Sequence, residues 1–128
     1  MKLLLDTHVF IWLNTDTSKI SRQAIGLCEN PSNQLYFSIV SAWEIQIKQQ
    51  LGKLQLQIPL QDMIQSQRLM NNLSILPIEL SHIYALQSLQ FYHNDPFDRL
   101  IVAQTFVEEM ILVSADNQLS QYDIKVIW

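Results

Sequence analysis

Four acidic residues stand at positions where predicted strands end or predicted helices begin. Asp6 ends the apolar run that opens the chain, and Asp116 follows a second apolar run at residues 110–114. Glu44 and Asp98 stand near the starts of two predicted helices. Carboxylates crowded into one cleft repel each other, and a divalent cation relieves that repulsion. Hard oxygen ligands suit Mg²⁺ or Mn²⁺, so these residues could support metal-assisted hydrolysis of a phosphodiester.

The elements that would position these acids follow from hydrophobic periodicity and turn residues. Short apolar runs alternate with helical stretches, which is typical of a parallel sheet buried on both faces. The sequence therefore predicts a single domain over residues 1–128, an α/β three-layer sandwich with a five-stranded, mainly parallel sheet flanked by helices. The predicted strands are residues 1–6, 35–39, 73–76, 110–114 and 124–128, and the predicted helices are residues 19–29, 41–51, 60–71, 80–90 and 96–109, with a helical turn at 9–13 and an edge strand or extended connection at 53–58.

This arrangement would gather the four acids at one edge of the sheet. Asp6 and Asp116 follow the carboxyl ends of their strands, and Glu44 and Asp98 lie in the first turns of helices that begin at the same edge. Open α/β sheets bind ligands in the crevice at that edge. The first strand is expected to be central, and Asp95 is a possible fifth acid.

Each acid also has a purely structural explanation. The segment Ser41-Ala-Trp-Glu44 matches a capping box, and Asp95 and Asp98 could satisfy free amides at a helix start. Asp116 is an ordinary turn residue, and Asp6 ends a strand where aspartate is common. The convergence of four acids from distant segments favours a metal site over four unrelated caps.

Helical spacing also predicts which faces are buried. Trp43, Ile47 and Leu51 recur every four residues and are expected to form a buried stripe, with Gly52 ending the helix. Trp12 and Trp43 are therefore interpreted as core residues rather than base-stacking platforms, because a stacking surface must be exposed. A second set of residues is expected to point inward from the later helix: Leu80, Ile83, Tyr84 and Leu86.

Composition narrows the class of protein. The chain has 128 residues, 48% of them hydrophobic, which suffices for one well-packed core. Its single cysteine, Cys28, is expected to pack in the core, and a reducing cytoplasm is the expected setting. No apolar run approaches the roughly 20 residues that span a bilayer, so no membrane association is expected. The net charge of −4 argues against passive nucleic-acid binding, and no Cys/His spacing suggests zinc.

Four segments, in chain order, form a recognisable set: Leu3-Leu-Leu-Asp-Thr-His8, Ser41-Ala-Trp-Glu-Ile45 continuing to Lys48 and Leu51-Gly-Lys-Leu54, Asp95-Pro-Phe-Asp-Arg-Leu-Ile-Val-Ala-Gln104, and Leu112-Val-Ser-Ala-Asp116. Taken together they resemble the PIN-domain ribonucleases, and within that family the VapC-type toxins of type II toxin–antitoxin pairs. The likeness extends over nearly the whole chain. Each motif is weak alone, but the ordered set is specific.

The resemblance implies a metal-dependent endoribonuclease in which Asp6, Glu44, Asp98 and Asp116 are the catalytic and metal-binding residues. Mg²⁺ would be the cofactor, with Mn²⁺ possible, and RNA would be cleaved to 5′-phosphate and 3′-hydroxyl ends. Ser114 would orient the site. The resemblance also implies a homodimer or a toxin–antitoxin hetero-oligomer, inhibited by a small cognate antitoxin whose tail enters the active-site groove.

Several residues near the four acids have two interpretations each. Arg99 could contact a phosphate, or pair with Asp95 or with an antitoxin carboxylate. Lys48 could serve the groove or only form an i,i+4 ion pair with Glu44. His8 and His93 could help hold RNA, although local hydrogen bonding is the simpler interpretation of both.

Two other classes of protein share parts of this pattern. A receiver-like signalling domain also has an acidic Mg²⁺ pocket, but it needs an aspartate after the third strand, where this chain has Pro77. A PIN-like binding module without catalysis is the other alternative, and the four intact acids argue against it. A metal titration coupled to an RNA cleavage assay separates that module from a nuclease.

Overall fold

The computed structural model describes residues 1–128 as five β-strands and six α-helices. The strands are β1 (Lys2–Leu5), β2 (Gln34–Ser38), β3 (Ser74–Leu76), β4 (Ile111–Val113) and β5 (Lys125–Ile127). The helices are α1 (Thr7–Thr15), α2 (Arg22–Glu29), α3 (Ile39–Gln50), α4 (Leu60–Asn71), α5 (Leu80–Ala85) and α6 (Pro96–Val107). Short 3₁₀ helices cover Thr17–Lys19, Leu86–Ser88 and Asn117–Gln121.

The strands form one parallel sheet in the order β3-β2-β1-β4-β5, which confirms the predicted fold class and the central place of β1. Leu3 of β1 is opposite Leu35 of β2 on one side and Ile111 of β4 on the other. The strand order changes direction at β1 and β4. A crevice is expected outside the carboxyl ends of these two strands, where the chain leaves the sheet in different directions.

The apolar run of β1 is buried on both faces of the sheet. Leu3 and Leu5 belong to one core cluster, and Leu4 belongs to a second cluster on the opposite face. All three side chains are fully buried. Since burying a leucine contributes about 1.5–3 kcal/mol, this strand anchors both layers of helices and holds the residue that follows it in a defined place.

The first two helices begin at side-chain caps that the sequence pattern located only in part. The Thr7 N–H donates a hydrogen bond to Asp6 (2.7 Å) and α1 begins there, extending beyond the short turn that was predicted. Ser18 does not cap α2, contrary to the prediction. Asp16 instead caps the 3₁₀ turn that contains Ser18, and Ser21 caps α2. A local side-chain acceptor before each turn therefore decided these boundaries.

Helix α3 begins earlier than predicted because β2 leads directly into it. Ser38 accepts a hydrogen bond from the Val40 N–H (3.0 Å), so Ser38 is the N-cap. The capping box of Ser41 and Glu44, the structural alternative for Glu44, therefore does not form, and Glu44 lies in the second turn rather than in the predicted first turn. The helix ends before Gly52, whose φ of 72° is the left-handed conformation that favours glycine.

The predicted inward faces of α3 and α5 are wrong. Trp43 is 57% exposed and Leu51 is 63% exposed. In α5, Leu80 and Tyr84 are each 67% exposed, whereas His82 is fully buried. The prediction from apolar spacing failed because polar side chains of these helices form hydrogen bonds inside the protein. The helix face that carries those polar side chains is therefore buried, and the apolar stripe is exposed. The buried residues of α3 are Val40, Ser41, Glu44 and Ile45.

Other predictions are confirmed or settled by the structure. Helix α4 has the predicted bounds, and Cys28 is buried in the core. Residues 53–58 form no strand and are an extended connection. No helix has the length and hydrophobicity needed to cross a lipid bilayer.

A buried glutamine on α6 ties together the segments around the ends of β2 and β3. The Gln104 carbonyl accepts a hydrogen bond from the Ser38 hydroxyl (2.5 Å), and its amide group donates to the Pro77 carbonyl (3.2 Å). The same amide group lies 3.3 Å from His82 Nδ1. Gln104 is fully buried, so its side-chain amide relies on these protein partners rather than on water for its hydrogen bonds. The network fixes α6 against the start of α3.

Replacing Gln104 by alanine is expected to lower the free energy of unfolding by about 1–3 kcal/mol, because it leaves buried polar groups without partners. Urea denaturation followed by circular dichroism measures the change. Gln121→Ala is the matched control, since Gln121 is exposed. Equal stability of the two variants would show that the network contributes little.

Candidate active site

A cleft of about 320 Å³ lies at the carboxyl ends of the central strands. Seven of the nine residues that line it have side chains that are charged or titrate. The lining residues are Asp6, His8, Trp12, Glu44, Lys48, Asp95, Asp98, Ala115 and Asp116. The four predicted acids therefore do line one cleft, and Asp95 joins them.

Asp6 is held rigidly at the end of β1. Its Oδ1 accepts the Thr7 N–H, and its Oδ2 accepts the Ser114 hydroxyl (2.6 Å). Burial raises the pKa of the Asp6 carboxyl, although the hydrogen bond from Ser114 and the charge of His8 act to lower it. Asp6 is only 7% exposed, so its charge needs compensation from the cleft.

Glu44 reaches the cleft from α3 and is oriented by Thr7. The Thr7 hydroxyl donates to Glu44 Oε1 (2.7 Å) and is also hydrogen-bonded to the Ser41 hydroxyl (2.8 Å). The Lys48 ammonium donates to Glu44 Oε2 one turn further along α3. Partial burial lowers the pKa of Lys48, but the hydrogen bond and charge of Glu44 raise it overall, so this ammonium stays charged.

Asp98 is the acid with the most negative surroundings. It lies in the first turn of α6, as predicted, and its carboxylate accepts no hydrogen bond from the protein. Its Oδ2 is 3.4 Å from His93 Nε2. Burial, followed by the charges of neighbouring acids, raises the pKa of Asp98 to about 7; those acids are Asp6, Asp95, Glu44 and Asp116. The four other carboxylates are thus close enough to act on Asp98 electrostatically.

Asp95 and Asp116 each use one carboxylate oxygen as a helix cap. Asp95 Oδ1 accepts the N–H groups of Phe97 (2.9 Å) and Asp98 (3.0 Å). Asp116 Oδ1 accepts the Gln118 N–H (2.9 Å). The second oxygen of each side chain makes no hydrogen bond within the protein, so capping leaves both residues able to contact a cation or a water.

Ser114 links the two strands that meet at the crevice. Its hydroxyl donates to Asp6 and accepts the Asp116 N–H (3.1 Å). The side chain is buried beneath the cleft rather than part of its lining. One hydroxyl is thus hydrogen-bonded to two of the acid residues, and the orienting role of Ser114 remains a prediction.

Arg99 does not line the cleft, which contradicts the interpretation that it contacts a phosphate there. Its guanidinium donates to the carbonyls of Gln90 (2.8 Å) and Leu89 (3.3 Å) and stacks on Phe91. It forms no ion pair with Asp95. Arg99 is only 6% exposed, because it follows Asp98 on the helix and therefore points toward the 86–95 connection.

Two functional features were missed by the sequence interpretation. Thr7 connects Asp6 to Glu44, and the signal for this role was its place directly after Asp6 at a helix start. Trp12 is only partly buried and lines the cleft, although it was interpreted as a core residue.

His93 makes a local contact, which was the simpler interpretation of this residue. Its Nδ1 lies 2.7 Å from the Tyr122 hydroxyl.

The donor set of the cleft fits a divalent cation bound by oxygen ligands. Five carboxylates line it, with Lys48 and His8 as the nearby cationic or titratable side chains. Burial raises the pKa of Asp98, and the four neighbouring carboxylates raise it further. A Mg²⁺ or Mn²⁺ ion would balance the charge of these carboxylates, with Asp6, Glu44, Asp98 and Asp116 holding it directly or through water.

A second group of potential ligands lies outside the cleft. Glu79, His82 and Glu108 place one ligand atom each within 4.8 Å of one another. However, His82 Nδ1 accepts the Glu79 N–H (3.0 Å), so a neutral imidazole carries its proton on Nε2. That nitrogen is 3.8 Å from a Glu108 oxygen. A protonated Nε2 cannot bind a metal, so this group is a helix cap with a neighbouring acid.

Replacing Ser114 by alanine is expected to weaken metal binding about 10- to 100-fold, the range seen when a hydrogen bond to a metal ligand is lost. Without the Ser114 donor the pKa of Asp6 rises further, so the loss should be larger at low pH. Isothermal titration with Mn²⁺ measures the affinity. Ser120→Ala, at an exposed serine, is the control, and equal affinities of the two variants would contradict an orienting role for Ser114.

The fold and the site together define an α/β domain whose acidic cleft lies at the topological switch point of a parallel sheet. The PIN domain family model matches residues 3–125. The chain belongs to the PIN domain family. The receiver-like alternative is thereby excluded, and β3 indeed ends at Leu76 with no aspartate directly after it.

Three solved structures show the same fold over nearly the whole chain. The VapBC2 complex from Rickettsia felis, bound to a DNA fragment from its promoter, contains a chain with a TM-score of 0.75 and 14% identity, covering 99% of this chain and 98% of that one. A chain of the DNA-bound VapBC of Salmonella typhimurium has a TM-score of 0.70 and 13% identity, covering 99% of this chain and 97% of that one. A chain of VapBC-1 from nontypeable Haemophilus influenzae has a TM-score of 0.67 and 17% identity, covering 99% of this chain and 97% of that one. No curated protein matches at a significant level.

Proposed function

We propose that this protein is a metal-dependent endoribonuclease that acts as the toxin of a toxin–antitoxin pair, built as a single nuclease domain over residues 1–128. The observation that carries the proposal is the convergence of Asp6, Glu44, Asp98 and Asp116 on one cleft at the ends of β1 and β4. Membership of the PIN domain family supports the nuclease assignment. The similarity of the fold to chains in VapBC complexes supports the toxin assignment.

In this proposal the four acids hold Mg²⁺, with Mn²⁺ as an alternative. When bound, the cation lowers the pKa of a coordinated water and neutralises charge that develops on the phosphodiester. Asp6 and Glu44 are fixed before substrate binds, because Ser114 and Thr7 donate hydrogen bonds to them. The acids thus need little rearrangement when RNA binds, which favours catalysis.

Other lining residues have supporting roles. Lys48 neutralises one oxygen of Glu44 and leaves Oε1 with the Thr7 hydroxyl, so it limits how much charge the cation must balance. His8 is exposed at the cleft and can donate a hydrogen bond to a phosphate. Asp95 caps α6 with one oxygen and can contact a metal-bound water with the other. Arg99 has no part in substrate binding.

The direct test is incubation of purified protein with single-stranded RNA in EDTA, Mg²⁺ or Mn²⁺. We expect cleavage only with a divalent cation, leaving 5′-phosphate and 3′-hydroxyl ends, which end-labelling and phosphatase treatment identify. RNA binding without cleavage in every metal would favour the binding-module alternative. The matched control is protein treated with EDTA and then restored by excess Mg²⁺.

The partners follow from the same assignment. We propose a cytoplasmic protein that assembles as a homodimer or with a cognate antitoxin whose tail occupies the acidic cleft. A short gene for a DNA-binding protein next to the gene for this chain would support the pairing. When the two proteins are co-expressed, we expect them to co-purify and the RNA cleavage activity to be lost. Independent migration of the two proteins would contradict the pairing.

A further inference from the structure

Trp12 lies between the acidic cleft and a second cavity of about 370 Å³ on the same surface. His8 and Trp12 line both cavities, so the two adjoin at these side chains, and together they are called the groove. The proposed metal site is at one end, and the second cavity extends past α1 toward residues 54–57. An RNA chain that extends from the acids into the second cavity would pass these two side chains.

The indole of Trp12 packs against two neighbouring aromatic side chains. Trp128 contacts it with ring centroids 5.9 Å apart at 56°, and His8 lies at the same centroid distance with a 40° tilt. Trp12 also packs against the core cluster that contains Leu3 and Leu5 of β1. The ring is only partly buried, so it offers a fixed apolar surface to the groove at little cost in side-chain entropy.

The polar residues beyond Trp12 suit a nucleotide. Gln55 and Gln57 line the second cavity with amides that can donate to and accept from the edge of a base. Lys19 lines the same cavity and can contact a further phosphate. Asp16, the one acid there, accepts two hydrogen bonds from Ser18 at one of its carboxylate oxygens. Aromatic rings together with cations are the features that bind unpaired bases.

We propose that Trp12 is the stacking platform for the RNA base adjoining the scissile phosphate, and that the cavity lined by Lys19, Gln55 and Gln57 accepts the next nucleotide. This inference rests on the proposed ribonuclease function. One sugar separates a phosphate held at the four acids from its neighbouring base, and Trp12 lines the same cleft as the acids. Trp12 is thus a substrate-positioning residue rather than a catalytic one.

The test compares Trp12→Phe with Trp12→Leu in steady-state cleavage of a single-stranded RNA oligonucleotide with Mg²⁺. Both variants keep an apolar side chain against Trp128, but only phenylalanine keeps an aromatic face. We expect Trp12→Leu to raise KM about 5- to 100-fold with a smaller change in kcat, as the loss of one base–aromatic stack predicts. Trp12→Phe should retain most of the affinity. Thermal unfolding confirms that both variants are folded.

Trp43→Leu is the matched control, because Trp43 is exposed but lines neither cavity. Equal KM values for wild type and Trp12→Leu would overturn the stacking role while leaving the ribonuclease function intact. Absence of RNA cleavage by the wild type would overturn the function itself. If Trp12→Leu lost binding of a partner protein with unchanged RNA kinetics, Trp12 would belong to protein recognition and the inference would be wrong.

Discussion

Replacing Asp6 by asparagine is expected to abolish metal-dependent RNA cleavage, with a loss of at least about 100-fold, while the protein stays folded. The asparagine side chain keeps an oxygen that can accept the Thr7 N–H, so the start of α1 is preserved. The substitution removes the negative charge at the centre of the cleft, and a bound cation needs that charge. The cleavage assay with Mg²⁺, together with circular dichroism, measures both outcomes.

The stability of the Asp6→Asn protein is informative in itself. Because burial raises the pKa of Asp6, its ionised carboxylate disfavours folding when no metal is bound. The metal-free variant should therefore be at least as stable as the metal-free wild type near neutral pH. Asp62→Asn, at an exposed acid on α4, serves as the control and should cleave normally. Undiminished cleavage by folded Asp6→Asn would refute the site.

Mg²⁺ is expected to stabilise the protein more at about pH 8 than at about pH 5. The pKa of Asp98 is raised to about 7 by burial and by its acidic neighbours, from an ordinary value of 3.8. The folded protein therefore keeps this proton to higher pH than the unfolded chain does, and its metal-free stability falls as pH rises between these two values. A cation competes with the proton for the same carboxylates, so its effect is largest once they are ionised.

Thermal unfolding with EDTA or with Mg²⁺ across this pH range measures the effect. At a metal concentration of 10 to 100 times Kd, the added stability should be about 1.4–2.7 kcal/mol. Asp98→Asn should flatten the pH dependence of the metal-free protein, because the amide does not titrate. A metal effect that does not change between the two pH values would contradict this account of the cleft.

The structural and functional interpretations of the acids prove compatible for three of them. Asp6, Asp95 and Asp116 are all caps, and each still contributes to the cleft. Capping explains why these residues sit where chain segments meet, because a helix start needs an acceptor there. Glu44 and Asp98 form no cap. Glu44 is held by Thr7 and Lys48, whereas the carboxylate of Asp98 accepts no hydrogen bond and has only His93 nearby. Asp98 is therefore the acid that capping explains least.

The sequence by itself determined the sheet and the meeting of the acids. Fully buried parallel strands carry continuous apolar runs, so β1 and β4 were recognisable from composition alone. Since parallel strands end at one edge, any acid that follows such a run must reach that edge. Asp6 and Asp116 could be placed together for this reason, without any knowledge of the side chains between them.

Only the tertiary structure decided which way the helical side chains point. Apolar spacing describes one helix, whereas burial depends on what that helix meets. His82 and Gln104 are buried because each finds hydrogen-bond partners from other segments, and Arg99 turns from the cleft to the carbonyls of a connecting loop. Trp12 lies in the groove because α1 follows the central strand directly. Long-range contacts that no single segment encodes set these orientations.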